Sequence, residues 1–193
     1  KMVAEENAAV DAKLAAFSPE VRDLVKKSPH LRAQIFGLQQ DGINFQVGTA
    51  GQGSSFNSAT QTITIEPGRT DAEIASSIAH EVGHHVQNLI GSTRLNTRGE
   101  SSNQNSVRVE LQADCLAGVW GHTARASLQI TDDDLGEALT AAHAIGDDTL
   151  GHSDERTFTH GSSEQRKRWF RRGFDSGDAR RCDTFAVQRS NEL

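Results

Sequence analysis

Two histidines and one glutamate near the middle of the chain have the spacing of a metal site. His80, Glu81 and His84 form the pattern H-E-x-x-H inside a stretch of helical character. Side chains one helical turn apart lie on nearly the same face, so both imidazoles can direct a nitrogen to one point, which suits a zinc ion. Glu81 lies too far round the helix to coordinate the same ion comfortably, but a water molecule bound to the metal would be within its reach. Glu81 is therefore the predicted general base.

The flanking residues predict one helix that presents these side chains. Thr70 and Glu73 have the spacing of a capping box, and Gly91 marks the end of the helix. His85 falls on the apolar side and is interpreted as a structural histidine. The alternative is an amphipathic helix with surface histidines, because short motifs also match by chance. An apolar stripe faces away from the two ligand histidines and consists of Ile74, Ile78, Val82, Val86 and Leu89.

A second helix, predicted from residue 107 to about residue 128, offers two carboxylates one turn apart. Glu110 is the predicted third metal ligand, and Asp114 is predicted to accept the second N–H of a ligand histidine. The alternative is that both carboxylates are solvated or paired with Arg108. Glu100, in the polar loop between the helices, is a further candidate ligand without a fixed scaffold. Small residues on this helix would allow a close approach to the first: Ala113, Ala117, Gly118 and Gly121.

A histidine stands directly before the last predicted helix, which Ser162 and Gln165 cap. The sequence contains no tyrosine, so no tyrosine hydroxyl can hold a developing oxyanion. His160 is therefore predicted to donate a hydrogen bond to that oxyanion. The alternative is a histidine that only braces its loop. The basic run 166–168 in the helix itself is interpreted as a solvated face.

Length, charge and hydropathy limit the class of protein. The 193 residues suit one well-packed domain, predicted over residues 1–193. The formal net charge of -6 gives no reason to expect nucleic acid or an anionic membrane as a partner. With no run of about 18 apolar residues, no membrane span is predicted, and no signal peptide is visible. Cys115 and Cys182 can pair, although thiols are expected in a reducing cytosol.

Two short β-type segments precede the predicted metal helix. Residues 43–47 and 61–65 alternate apolar and polar side chains, and the glycine-rich stretch 48–53 follows the first of them. They predict a small antiparallel sheet whose edge could hold an extended peptide, or a hairpin that only closes the core. The predicted fold class is α+β and predominantly α-helical, with this sheet ahead of the H-E-x-x-H helix.

Beyond the H-E-x-x-H pattern, separated motifs follow one another through the second half of the chain. They occupy residues 79–89, 106–115, 144–150, 158–163, 168–170, 173–178 and 182–185. The stretch that they cover, roughly residues 74 to 187, resembles the bacterial family of putative neutral zinc metallopeptidases. The layout is also similar to that of the larger gluzincin group, which includes membrane-bound CaaX-type proteases.

The resemblance implies a zincin-like fold and roles for particular residues. It implies zinc held by His80, His84 and Glu110, with Asp114 behind a ligand and His160 near the substrate oxygen. Residues 1–73 depart from the family pattern, in which a membrane anchor often comes first. They are similar to the part that precedes H-E-x-x-H in secreted bacterial protease effectors. A location outside the bacterial cytoplasm, or secretion, is therefore expected.

The expected function is a zinc-dependent endopeptidase that cuts protein or peptide substrates through a metal-activated water, and an effector or toxin protease is one form of it. An envelope housekeeping protease is another form. A different class of protein, a non-catalytic zinc-containing module that binds a peptide or a partner, is the alternative. The intact Glu81 argues against that module because a structural site needs no base. The sequence makes no prediction about oligomeric state.

Overall fold

A computed structural model describes residues 12–189 and 192–193. The chain divides into two compact units with the boundary between Ala75 and Ser76. The predicted α+β class with a predominance of helix is confirmed, whereas the single domain over residues 1–193 stays a prediction. The elements are α1 (Pro19–Lys27), α2 (Pro29–Gln40), β1 (Asn44–Val47), β2 (Ser55–Asn57), β3 (Thr62–Ile65), α3 (Asp71–Ile90), α4 (Ser102–Ala124), α5 (Asp132–Ala144) and α6 (Ser163–Ser176). No helix among the described residues combines the length and apolarity that crossing a bilayer requires.

The first unit contains α1, α2 and the sheet. Ser18 and Ser28 each accept a hydrogen bond from the third residue after them, and a proline follows each serine at the first helical position. Gln34 in α2 donates to the carbonyl of Ala75 across 3.0 Å. The core of the first unit consists of fully buried aliphatic side chains, including Val21, Val25, Leu31, Ile35, Ile63 and Ile65.

The sheet is mixed and has the strand order β1-β3-β2. It contains an antiparallel hairpin, but β2 and β3 form it, and β1 is parallel to β3. The predicted antiparallel pairing of residues 43–47 with 61–65 is therefore corrected. The connection between these two segments contains strand β2. The side chain of Asn57, the last residue of β2, accepts hydrogen bonds from the N–H groups of Ala59 and Thr60 in the turn that follows. Because the chain reverses direction at this turn as well, β3 runs in the same direction as β1.

Helix α3 begins and ends where the sequence predicts. The N–H of Thr70 donates to Glu73 Oε2 across 2.8 Å, and the N–H of Glu73 donates to Thr70 Oγ1 across 3.2 Å. Gly91 follows the helix with φ 76°, a left-handed conformation that glycine adopts without strain. Leu89 departs from the predicted apolar stripe, because it is 69% exposed. The stripe residues that are buried are Ile74, Ile78 and Val82.

Helix α4 is longer at its start than predicted. It begins at Ser102 rather than Val107, because Ser101 and Gln104 form a capping box that the polar composition of this stretch concealed. It ends at Ala124, before the predicted end near residue 128. The earlier start places the whole of the predicted ligand segment well inside the helix, where its backbone is fixed.

Helices α4 and α6 form the most extensive helix pair of the second unit, and two glycines allow their close approach. A Cβ on Gly118 would collide with the backbone of Phe170, and a Cβ on Gly173 would collide with the carbonyl of Cys115. Neither helix could approach so closely with larger residues there. The backbone contact fixes the position of α6 relative to the carboxylates of α4.

The carboxyl-terminal segment is attached to α4 by a disulfide and by a buried arginine. Cys115 and Cys182 are joined across a sequence separation of 67 residues. Arg108, which is fully buried, donates to the carbonyl of Thr184, and the Thr184 hydroxyl donates to the Arg108 carbonyl across 2.7 Å. The same guanidinium donates two hydrogen bonds of 2.7 Å to Glu100. Covalent and polar contacts thus hold this segment behind α4.

Reduction of the disulfide is expected to destabilise the second unit. Closing a loop of 67 residues restricts the unfolded chain by about 4 kcal/mol in the chain-entropy model. The midpoint of urea unfolding should therefore fall when a reductant is added. A variant with both Cys115→Ala and Cys182→Ala is the control, because its midpoint should not respond to reductant. An unchanged midpoint for the wild-type chain would contradict this expectation.

Candidate metal centre

Two helices bring the three predicted ligands together. One ligand atom from each of His80, His84 and Glu110 lies within 4.8 Å of the other two. The Glu110 carboxylate lies 3.2 Å from His80 Nε2 and 3.5 Å from His84 Nε2. Within the described part of the chain, no other three His, Cys, Asp or Glu side chains converge in this way. Two imidazole nitrogens and one carboxylate form a donor set that fits a catalytic zinc ion.

The close approach of α3 and α4 depends on a glycine inside the H-E-x-x-H motif. A Cβ on Gly83 would lie 2.5 Å from the carbonyl oxygen of Ala113. Ala113 was among the small residues expected at this contact, whereas the role of Gly83 was not predicted. The position of Gly83 between His80 and His84 explains why the carboxylate of Glu110 on the opposing helix lies near both imidazoles.

His80 lies between two carboxylates. Its Nδ1 is 2.8 Å from Asp114 Oδ1, and its Nε2 is directed towards Glu110. Burial alone lowers the pKa of His80, but attraction to Asp114 and hydrogen bonds to Asp114 and Glu110 raise that pKa to about 10. The pair of carboxylates creates a place where positive charge is favoured.

His84 is held by amides rather than by a carboxylate. Its Nδ1 donates to Gln87 Oε1 across 2.8 Å, and the Gln87 amide donates to Gln112 Oε1 across 3.0 Å. Gln112 in turn donates to the carbonyl of Cys182 across 3.1 Å. Gln87 is fully buried and lies one helical turn after His84. That spacing is the signal by which the sequence could have indicated its role.

Glu81 and Glu110 experience opposite electrostatic environments. Burial raises the pKa of Glu81, which is 6% exposed, and attraction to His80 and His84 reduces this rise only in part. Burial also acts to raise the pKa of Glu110, but hydrogen bonds from both histidines outweigh it and hold that pKa well below its usual value. Glu110 is therefore an anion suited to bind a cation, whereas Glu81 has a raised affinity for a proton.

His160 stands on a turn that one buried carboxylate organises. Asp147 Oδ2 accepts hydrogen bonds from the N–H groups of Thr159, His160 and Gly161 at 2.7 to 3.0 Å. Asp147 Oδ1 lies 3.2 Å from His160 Nδ1, and the imidazole is half exposed. Burial raises the pKa of Asp147, but the hydrogen bonds from the His160 backbone and side chain outweigh it and lower that pKa. Asp147 lies in the motif at residues 144–150, but its role in holding this turn was not predicted from the sequence.

Two predicted arrangements are corrected here. Glu100 forms an ion pair with Arg108 and is not part of the group formed by His80, His84 and Glu110. The same pair removes Arg108 as a partner of Glu110 or Asp114. Arg166, expected on a solvated face, is instead buried and bonded to Asp114. The sequence did not distinguish Arg166 from its two basic neighbours, although only one residue of such a run faces inward on a helix.

Comparison with protein families identifies the class of protein. Residues 54–185 match the family described as Putative neutral zinc metallopeptidase. The match covers more than half of the chain, and the chain belongs to this family. The family match begins at residue 54, ahead of residue 74 where the resemblance noted from the sequence begins. It therefore includes β2 and β3.

Bacterial relatives share this part of the chain. The uncharacterized protein YpfJ of Escherichia coli K12 is 51% identical over an alignment of 119 residues, and the match covers 56% of this chain and 42% of YpfJ. The uncharacterized protein Rv2575 of Mycobacterium tuberculosis is 43% identical over an alignment of 126 residues, and the match covers 57% of this chain and 43% of that protein. The matched part thus spans less than half the length of these relatives. No solved structure matches the chain.

Proposed function

We propose that this chain is a zinc-dependent endopeptidase with zinc bound by His80, His84 and Glu110. The convergence of these three side chains beside the buried Glu81 carries the proposal. The three ligand side chains remain 14, 22 and 19% exposed, so one side of the group faces solvent. A structural zinc site would normally close that side with a fourth protein ligand. An open side next to a carboxylate is what hydrolysis requires.

Zinc held by His80, His84 and Glu110 would polarise a carbonyl oxygen and would lower the pKa of a bound water to about 7. Glu81 accepts the proton of the attacking water and then delivers a proton to the leaving amine. Burial favours this role because it raises the pKa of Glu81. A carboxylate with a higher pKa accepts a proton from the attacking water more readily. Asp114 accepts the Nδ1 hydrogen of His80, which leaves Nε2 for the metal.

His160 is proposed to stabilise the oxyanion that forms at the substrate carbonyl. Its Nδ1 hydrogen is directed to Asp147, so its Nε2 can donate a second hydrogen bond when the ring is cationic. Backbone hydrogen bonds to Asp147 hold the ring and the turn in one geometry, which is the property an oxyanion donor needs.

Asp147→Asn is expected to slow peptide cleavage by roughly 10- to 100-fold without loss of zinc. An amide cannot accept hydrogen bonds on both sides, so either the backbone N–H groups of the turn or His160 Nδ1 loses its acceptor. Cleavage rate and zinc content should be measured on the same preparation. Asp175→Asn, at an exposed position of α6, is the matched control. An unchanged rate in the Asp147 variant would remove His160 from the proposed mechanism.

The substrates are proposed to be proteins or peptides encountered in an oxidising compartment. The buried disulfide between Cys115 and Cys182 supports this location, because cytosolic thiols are kept reduced. Export to the cell envelope or secretion both satisfy this condition.

Incubation with a denatured protein tests the proposed function. The purified chain should produce new peptide termini, detected by mass spectrometry, and a chelator should stop their formation until zinc is restored. Cleavage that continues in the chelator would exclude the metal mechanism. Zinc binding without any cleavage would favour the non-catalytic zinc module instead.

A further inference from the structure

Arg166 on the first turns of α6 binds the carboxylate that supports a proposed metal ligand. Its Nε lies 2.8 Å from Asp114 Oδ2, and its Nη2 lies 2.9 Å from Asp114 Oδ1. The arginine is 2% exposed and the aspartate 3%, so water does not weaken the pair. Two parallel hydrogen bonds fix the plane of the carboxylate as well as its position.

The fixed carboxylate determines the orientation of His80. Asp114 Oδ1 is shared between Arg166 Nη2 and His80 Nδ1, at 2.9 and 2.8 Å. Because Arg166 occupies both oxygens, the carboxylate cannot rotate away from the imidazole without losing a hydrogen bond to the guanidinium. The contact at Nδ1 therefore fixes the orientation of the imidazole ring. It thereby also fixes the direction of Nε2 on the other side of the ring.

A third contact holds the guanidinium itself. Arg166 Nη1 donates to the carbonyl of Ile145 across 3.3 Å, at the end of α5. The turn that follows is attached to α6 as well, because Asp148 accepts hydrogen bonds of 2.7 and 2.8 Å from the backbone and hydroxyl of Ser163. Gly146 lies against Ser163 with no space for a side chain. Arg166 is thus anchored by a rigid turn and cannot follow a rotating carboxylate.

We propose that Arg166 is a positioning residue for the metal ligand His80, acting through Asp114. The proposal rests on the proposed zinc site. It requires arginine, since the planar guanidinium donates to two carboxylate oxygens and a carbonyl at once. A lysine supplies the charge at one point and leaves the carboxylate free to turn. A buried ion pair is in itself weak support for stability, so an effect on metal binding separates this role from a structural one.

Zinc affinity measured by competition with a chromophoric chelator tests the proposal. Arg166→Met should raise the Kd for zinc by roughly 10- to 100-fold, the range for groups that orient metal ligands. Arg166→Lys should raise the Kd by about 5- to 10-fold, because the charge stays but the orientation is lost. Arg171→Met, at an exposed position of the same helix, should leave the Kd unchanged.

A second measurement shows whether Arg166 acts through Asp114. In an Asp114→Asn background, Arg166→Met should weaken zinc binding by much less than in the wild-type chain, because the shared link is already altered. Cobalt substitution adds a spectroscopic signature, since a shifted visible spectrum in Arg166→Lys reports a changed ligand geometry. If Arg166→Met does not fold, Arg166→Lys decides the question by the same readouts.

An unchanged zinc Kd in Arg166→Lys, with an unchanged cobalt spectrum, would overturn the proposal even if thermal stability falls. Failure of the wild-type chain to bind zinc would instead refute the proposed function. The two failures are therefore distinguishable in one set of titrations.

Discussion

Glu81→Gln should retain about one zinc ion per chain and lose peptide cleavage by on the order of 100- to 10,000-fold, the contribution expected of a general base. Glutamine has nearly the same shape but cannot accept a proton from water. Glu81 is not among the three side chains that converge, so the metal site should survive the change. Burial raises the pKa of this carboxyl, which marks it as the group prepared for proton transfer.

Glu164→Gln is the matched control for this variant. Glu164 lies in the first turn of α6 with 74% of its side chain exposed, so the same chemical change there should affect neither zinc content nor cleavage. Full cleavage activity in Glu81→Gln would remove the base assignment. Loss of zinc together with activity would mean that Glu81 supports the metal site and not the proton transfer.

Glu110→Ala should have the second largest effect, a large decrease in zinc occupancy with loss of cleavage. The carboxylate faces both histidine Nε2 atoms, and without it only two neutral donors remain for a cation. Hydrogen bonds from both histidines hold the pKa of Glu110 well below its usual value, so the native site contains a negative charge that the variant lacks. Metal analysis after dialysis against a weak chelator measures the loss.

Glu164→Ala is the control for Glu110→Ala, and its zinc content should equal that of the wild-type chain. Unchanged zinc in Glu110→Ala would assign the third ligand to another residue.

The sequence predicted the parts of the centre that depend on spacing along a single helix. His80 and His84 are one turn apart, and so are Glu110 and Asp114, which makes their shared faces a consequence of helical geometry. The types and spacing of Thr70 and Glu73 likewise predicted the start of α3, and Gly91 predicted its end. These features require no knowledge of distant contacts.

Contacts between distant segments could not be predicted in the same way. Arg166 and Asp114 are separated by 52 residues, and Asp147 and His160 by 13. The type of residue gave no signal, because most arginines on helices are solvated and most aspartates near helix ends are caps. The parallel pairing of β1 with β3 was missed for a similar reason, since it depends on a third strand of only three residues.

X-ray absorption at the zinc edge of the zinc-loaded chain tests the central claim most directly. The proposed site predicts a first shell with two imidazole nitrogens at about 2.0 to 2.1 Å, further oxygen ligands and no sulfur. In His84→Ala the imidazole contribution should fall to a single ring. Sulfur in the first shell, or an imidazole contribution that is unchanged when His84 is removed, would contradict the proposed centre.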